Sequence, residues 1–171
     1  MSSSSDDNVI DAIGRTIMRW QDATQDFDEA FGRLHGLSSP ERRCLGLIAF
    51  GPQTARAIAN ETGLTPASIT ALLDRLEARG LLSRKADPND RRKVMVWATR
   101  KSQAMAEEAY GPIRRKGVAL LKGYSAAERK VVLKFLTDAL ALQSHVTAEF
   151  LEQRTKKTTR TIKSVKTARE A

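Results

Sequence analysis

Through Ile10, Ile13, Ile17, Trp20, Thr24, Phe27, Phe31 and Leu34 the chain repeats an apolar position at alternating steps of three and four, with one polar interruption at Thr24. This spacing predicts a long helix with a narrow heptad-like seam, its other faces acidic and polar. Such a seam suits packing against a partner helix; burial against its own domain is the alternative. Gly36 ends the helix. Ser39 followed by Pro40 opens another, with serine at the cap and proline at the first helical position, and Leu45, Ile48 and Ala49 facing inward. After the break at Gly51-Pro52, Thr54 caps a short helix through Asn60 with Ala55, Ile58 and Ala59 inward.

Thr62 and Gly63 form the next turn, and Thr65 with Pro66 opens a helix whose inward stripe is Ile69, Leu72, Leu73 and Leu76. Gly80 stops it. Two short helices joined by a glycine-containing turn predict a helix-turn-helix. The texture then changes: Leu81 to Lys85 lead into the turn-rich Asp87-Pro88-Asn89-Asp90, and Val94 to Trp97 follow. This predicts a two-stranded hairpin, the wing of a winged helix.

From Arg100 the pattern is helical again, with proline at Gly111-Pro112 expected to kink or restart the helix. Ser125-Ala-Ala-Glu128 reads as a capping box for a last helix with the stripe Val132, Phe135, Leu136, Ala139, Leu142, Val146 and Phe150. Beyond Gln153 apolar residues nearly vanish and Lys, Arg and Thr dominate, which predicts disorder in isolation. The fold class expected is mainly α with a small β-hairpin wing. Its regions are an N-terminal helical dimerisation segment (1–37), a winged helix-turn-helix DNA-binding domain (38–100), C-terminal dimerisation helices (101–152) and a basic tail (153–171).

Length and a hydrophobic fraction of 41% fit one globular unit with extensions. The net charge of +9 is unevenly placed: −4 over 1–37, +5 over 38–100, +2 over 101–152 and +6 over 153–171. A positive field in the middle and at the tail is the footprint of a polyanion binder. The serine-rich, acidic start is unlike a signal peptide, and no run of about 18 apolar residues exists to span a bilayer, so a cytoplasmic protein with no membrane partner is expected. A single cysteine, Cys44, allows no internal disulfide and fits a reducing compartment.

Opposite the apolar stripe of the Thr65-Pro66 helix stand Ala67, Ala71 and Asp74, flanked by Ser68, Thr70 and Arg75. Small side chains there let the helix approach the floor of the major groove, and hydroxyls and arginine offer bonds to bases or phosphates. Ser68, Thr70 and Arg75 are the expected polar contacts, and Ala67 and Ala71 the apolar ones. In the wing tip, Asp90 is expected to brace one arginine by a bidentate pair and hold the other extended toward the minor groove. Arg92 is the expected groove-inserting residue, with Arg91 and Arg84 on phosphates.

The run Leu64-Thr-Pro-Ala-Ser-Ile-Thr-Ala-Leu-Leu-Asp-Arg-Leu-Glu-Ala-Arg-Gly-Leu-Leu82, followed by Asp87-Pro-Asn-Asp-Arg-Arg92, resembles the recognition helix and wing of the MarR family. The resemblance extends through Thr99 into Tyr110-Gly-Pro112 and Tyr124-Ser125, covering about residues 10 to 152. It implies a homodimer with two winged-helix lobes on a pseudo-palindromic double-stranded operator. It also implies a repressor released by a small, often aromatic or anionic effector or by oxidation. Ala71 stands where many members place arginine, and Ser102 where glycine is common.

Trp20, Phe27 and Phe31 are candidates for lining a ligand pocket, with core or dimer packing as the alternative. Cys44, beside Leu45, suits a buried small hydrophobe better than a redox sensor. His35 and His145 are too few and too far apart in sequence for a zinc site. No Ser/His/Asp order, phosphate-binding glycine loop or cysteine-histidine pair suggests catalysis, and no cofactor is expected. The rival reading is a ligand-independent architectural DNA-binding protein aided by the basic tail.

Overall fold

The heptad-like seam lies on one helix, α1 (Ser3–His35), in the computed structural model. The structure describes residues 3–87, 90 and 93–169, and side chains within 6–87, 90 and 93–153. Of the seam only Phe31 is buried; Ile17 and Phe27 are half-buried, while Ile10, Ile13, Trp20 and Leu34 are exposed. A left-handed Gly36 (φ 57°) turns the chain into α2 (Ser39–Ala49). The cap of α2 is Ser38, one residue before the serine expected from the Ser39-Pro40 pair. What shifts it is Glu41, whose carboxylate accepts from both the Ser38 N–H (2.9 Å) and the Ser38 hydroxyl (2.8 Å).

β1 (Gln53–Thr54) leads into α3 (Ala55–Thr62), capped as expected by Thr54, whose hydroxyl accepts from the Ala57 N–H at 3.1 Å. Gly63 (φ 70°) supplies the left-handed turn between α3 and α4 (Pro66–Ala78). β2 (Leu82–Ala86) and β3 (Val94–Ala98) pair antiparallel, Leu82 opposite Ala98 and Ala86 opposite Val94. The expected two-stranded hairpin is thus present, but β1 adds to the far side of β3 with Gln53 opposite Val96, giving a three-stranded sheet in the order β1-β3-β2. A two-residue strand carries no alternation to read from sequence; its partner defines it.

α5 (Arg100–Lys122) runs through Gly111-Pro112 without a break, so of the expected kink or restart the restart does not occur. Proline removes one helical hydrogen bond, which the bonds retained on both sides of so long a helix outweigh. α6 (Ala126–Arg169) opens on the expected capping box: the Ser125 N–H donates to Glu128 at 2.7 Å and the Glu128 N–H to the Ser125 hydroxyl at 3.2 Å. Its backbone stays helical into the basic stretch for which composition predicts disorder. Lys and Arg are good helix formers, and extending an existing helix needs no new nucleus.

The chain divides into two compact units, residues 1–113 and 114–171. The core of the first gathers Ile48 from α2, Ile58 from α3, Ile69, Leu72, Leu73 and Leu76 from α4, and Leu81, Leu82 and Val96 around the sheet. Every residue of the α4 stripe is among them. The second unit exposes a series of large apolar side chains, including Phe135, Leu136, Leu142, Val146 and Phe150. No helix among the described residues is long and apolar enough to cross a membrane.

Candidate nucleic-acid interface

Burial of the Ile69/Leu72/Leu73/Leu76 stripe forces the opposite face of α4 outward, and Ala67, Ser68, Thr70, Ala71, Asp74 and Arg75 are all exposed. The polar members are partly engaged. The Ser68 hydroxyl lies 2.8 Å from that of Thr65, the cap residue, and the Thr70 hydroxyl donates back to the Pro66 carbonyl at 3.0 Å. Both oxygens keep lone pairs at the surface, so each can still meet a donor on a base edge.

Polar clamps hold this helix at three places. Near its middle, Arg75 Nε donates to Glu41 Oε1 at 3.2 Å, reaching back to the N-terminus of α2. Glu41 is buried, which by itself pushes its carboxyl pKa up; the two bonds from Ser38 and the pairing with Arg75 outweigh that and lower it. At the end of α4, Arg79 donates to the carbonyls of Gly36 (2.9 Å) and His35 (2.6 Å). Lys101 Nζ in turn donates to the Arg79 carbonyl at 2.8 Å. The third clamp is Arg84 on β2, whose Nη1 sits 2.7 Å from Asp74 and 2.8 Å from Glu77, while its N–H donates to Glu77 at 3.0 Å. Arg84, expected on phosphates, thus joins the wing to α4.

At the wing tip the Asp87 N–H donates to the Lys93 carbonyl (2.9 Å) and the Lys93 N–H to the Asp90 carbonyl (2.8 Å), closing the loop. Asp90 forms an ion pair with Lys93 at 3.6 Å. Arg91 and Arg92, and with them the expected brace and the groove-inserting side chain, lie outside the described residues. At the wing's other end Thr99 donates to the Gly80 carbonyl at 2.8 Å, and the buried Ser102 hydroxyl donates to the Thr99 carbonyl at 3.0 Å. Ser102, where glycine is common in the family it resembles, is therefore part of the junction.

A family model described as MarR family matches residues 35–93. The chain is 35% identical over 114 residues to YcgE of Bacillus subtilis, described as an uncharacterized HTH-type transcriptional regulator, covering 66% of this chain and 74% of that protein. The chain belongs to the MarR family. Another similar protein is the HTH-type transcriptional repressor NicR of Pseudomonas putida, 30% identical over 86 residues, 50% of this chain and 54% of that one. Among solved structures, MepR from a multidrug-resistant S. aureus isolate shares the fold with a TM-score of 0.59 at 17% identity, over 75% of this chain and 95% of that one. NadR in complex with 4-hydroxyphenylacetate does so with a TM-score of 0.54 at 24% identity, over 75% and 92%. This MarR-family protein is accordingly a DNA-binding transcriptional regulator with a winged helix-turn-helix.

Trp20, Phe27 and Phe31, named together as pocket candidates, separate in this MarR-family chain. Phe27 and Phe31 pack edge-on against Tyr110 with ring centroids 5.2 and 5.1 Å apart. Trp20 instead faces an open cleft of about 580 Å³ between α1 and α2, lined also by Thr24, Gln25, Asp28, Ser39 and Arg42. Asp28 is the hub beneath it, forming an ion pair with Arg42 and accepting from the Tyr110 hydroxyl at 2.8 Å. Burial first, and the Asp28 carboxylate second, push the Tyr110 phenol up to about 12. Cys44 is fully buried, and burial, with the Glu41 charge added, pushes its thiol up to about 12. No group of three or more metal-ligating side chains gathers among the described residues. Sequence reasoning missed Glu41, Arg79, Asp28 and Arg42. The Ser38-x-x-Glu41 spacing was a readable capping signal, but no local pattern marks contacts across 34 to 82 residues.

Proposed function

We propose that this regulator is a homodimeric repressor that binds a pseudo-palindromic operator and is released by a small aromatic anion held in the α1–α2 cleft. The observation that carries the operator reading is the α4 face itself: two alanines and two hydroxyl residues turned outward on a helix clamped at three places. Small side chains permit close approach to the groove floor, and the clamps reduce what must be ordered on binding. Arg75, paired with Glu41 but with 59% of its side chain exposed, and the wing arginines Arg91 and Arg92 supply the positive field. Arg84, already paired, acts by positioning the wing rather than by holding phosphate. Pairing is supported by the apolar positions exposed along α1 and by those along α6, more than a lone regulator would leave in water.

The effector reading rests on the cleft. Trp20 offers an aromatic wall, Ser39 a hydroxyl and Arg42 the cation, whose present partner is Asp28. A ligand carboxylate must compete with Asp28 for Arg42. Because Arg42 follows Glu41 on α2, and Glu41 holds Arg75, movement there is passed to the recognition helix.

Selection from a random duplex library, followed by footprinting, tests the operator. One compact, two-fold symmetric footprint is expected; uniform coverage of any duplex would replace the regulator with the architectural reading. A thermal-shift screen of small aromatic acids, beginning with 4-hydroxyphenylacetate, then tests release from the selected site. Binding lost in Arg42→Met is expected, and binding that survives it places the effector elsewhere.

A further inference from the structure

The segment continuing α6 has an order that its composition hides. Arg154, Lys157, Arg160, Lys163, Lys166 and Arg169 recur at a strict interval of three residues. Each of the first five is followed at once by a hydroxyl residue: Thr155, Thr158, Thr161, Ser164 and Thr167. Residues 154–168 are therefore a tandem triplet of cation, hydroxyl and variable residue, and the backbone is α-helical through Arg169. Threonine is a poor helix former, so this row is not explained by helix stability.

On an α-helix each triplet step rises about 4.5 Å and falls back about 60°, so the six cations wind through roughly 300° of the helix surface over about 22 Å. No stripe remains for an apolar face: Ile162 and Val165 are the only large apolar residues between Arg154 and Arg169. A flat anionic surface such as a bilayer would meet only the cations on one side. A groove walled by phosphates on both sides meets nearly all of them. The major groove of duplex DNA is about 12 Å wide and admits a helix, and some 22 Å of duplex carries roughly 13 phosphate charges. Serine and threonine hydroxyls are regular donors to phosphate oxygens.

We infer that residues 154–169 are a second DNA-binding element, a helix that lies in a groove of duplex DNA and contacts phosphates on both walls without reading sequence. It goes beyond the operator reading and does not depend on it, since its ligand is any duplex. Its consequence is added affinity for flanking DNA.

The test uses the full chain and a variant carrying R154Q, K157Q, R160Q, K163Q, K166Q and R169Q, glutamine being about as helix-favouring as the residues replaced. Fluorescence anisotropy follows binding to a scrambled duplex of about 40 base pairs across a salt series, long enough for flanking contacts. The unmodified protein should show the steeper dependence, and the variant should lower the slope of log K against log salt by about 4 or more, with about tenfold or greater loss of affinity near 0.1 M salt. Far-ultraviolet circular dichroism and sedimentation should be unchanged. An unchanged slope with the fold intact overturns the inference. So does a variant that keeps duplex affinity but loses binding to phosphatidylglycerol vesicles, which would assign the helix to membranes. Failure to select an operator would count against the repressor reading and leave this measurement standing.

Discussion

Three residues show how differently position and chemistry can be tied. Cys44 is readable as a small hydrophobe, and its complete burial keeps the thiol protonated at neutral pH. It should resist thiol reagents in the folded protein and react fully once denatured; rapid reaction in the native state would revive the redox reading. Glu41 is legible as a capping residue, yet its second task, holding Arg75, comes only from the fold. Because its folded pKa is lowered, its stabilisation is full above the ordinary 4.5 and is withdrawn as the pH falls from there through the lowered value. Glu41→Gln should therefore reduce stability by about 1 to 3 kcal/mol at neutral pH and flatten the acid limb of a denaturation series. Equal acid sensitivity in both proteins would show that another carboxylate governs that limb. For Arg92, the argument is electrostatic and comes from sequence. Arg92→Ala should weaken binding to the proposed operator by about tenfold or more with the oligomeric state unchanged, and unchanged affinity would remove it from the interface.

Among the elements, α4 and the wing act as one body. The stripe of α4 is entirely buried, so Leu73→Ala should lower stability by about 2 to 5 kcal/mol, measurable by urea denaturation. Arg84 is the informative contrast. Its side chain is 28% exposed and meets two carboxylates, so Arg84→Met should remove about 1 kcal/mol or less of stability after solvent screening. Its effect on operator affinity should be larger, because the wing loses its tie to the recognition helix. If affinity falls equally for operator and unrelated duplex while the salt slope falls by about one, Arg84 is a phosphate ligand after all. The helices, the caps of α3, α4 and α6, and the hairpin were legible because each is encoded in a short window, whereas the α2 cap falls one residue earlier than read because Glu41 engages Ser38. β1 was not legible, since its two residues become a strand only by pairing with β3.

For the whole molecule, the exposed apolar side chains of α6 decide the prediction. Leu142→Glu places a charge on that array and, in the proposed dimer, should give a monomer in sedimentation, with affinity for the proposed operator falling by well over tenfold as the two lobes lose their linkage. A variant that remains dimeric would move the pairing surface elsewhere. The same exposure explains a limit of sequence reading. The seam of α1 keeps its spacing from Ile10 to Leu34, interrupted only by Thr24, yet among its residues only Phe31 is buried within the first unit. Periodicity reports that a face is apolar, not what covers it.

Short-range physics is written in the sequence: the caps that open α3, α4 and α6, the stripe of α4 that turns inward, the hairpin after Gly80 and the basic character of the tail. These follow from caps, breakers and periods of 3.6 or 2, all contained within about a dozen residues. The tertiary structure alone decided that Arg84 belongs to Asp74 and Glu77, that Arg75 answers to Glu41, and that Trp20 parts from Phe27 and Phe31 to face the cleft with Arg42. Each of these turns on which side chains meet after the elements pack. That meeting depends on three-dimensional distance, which the spacing of residues along the chain does not carry.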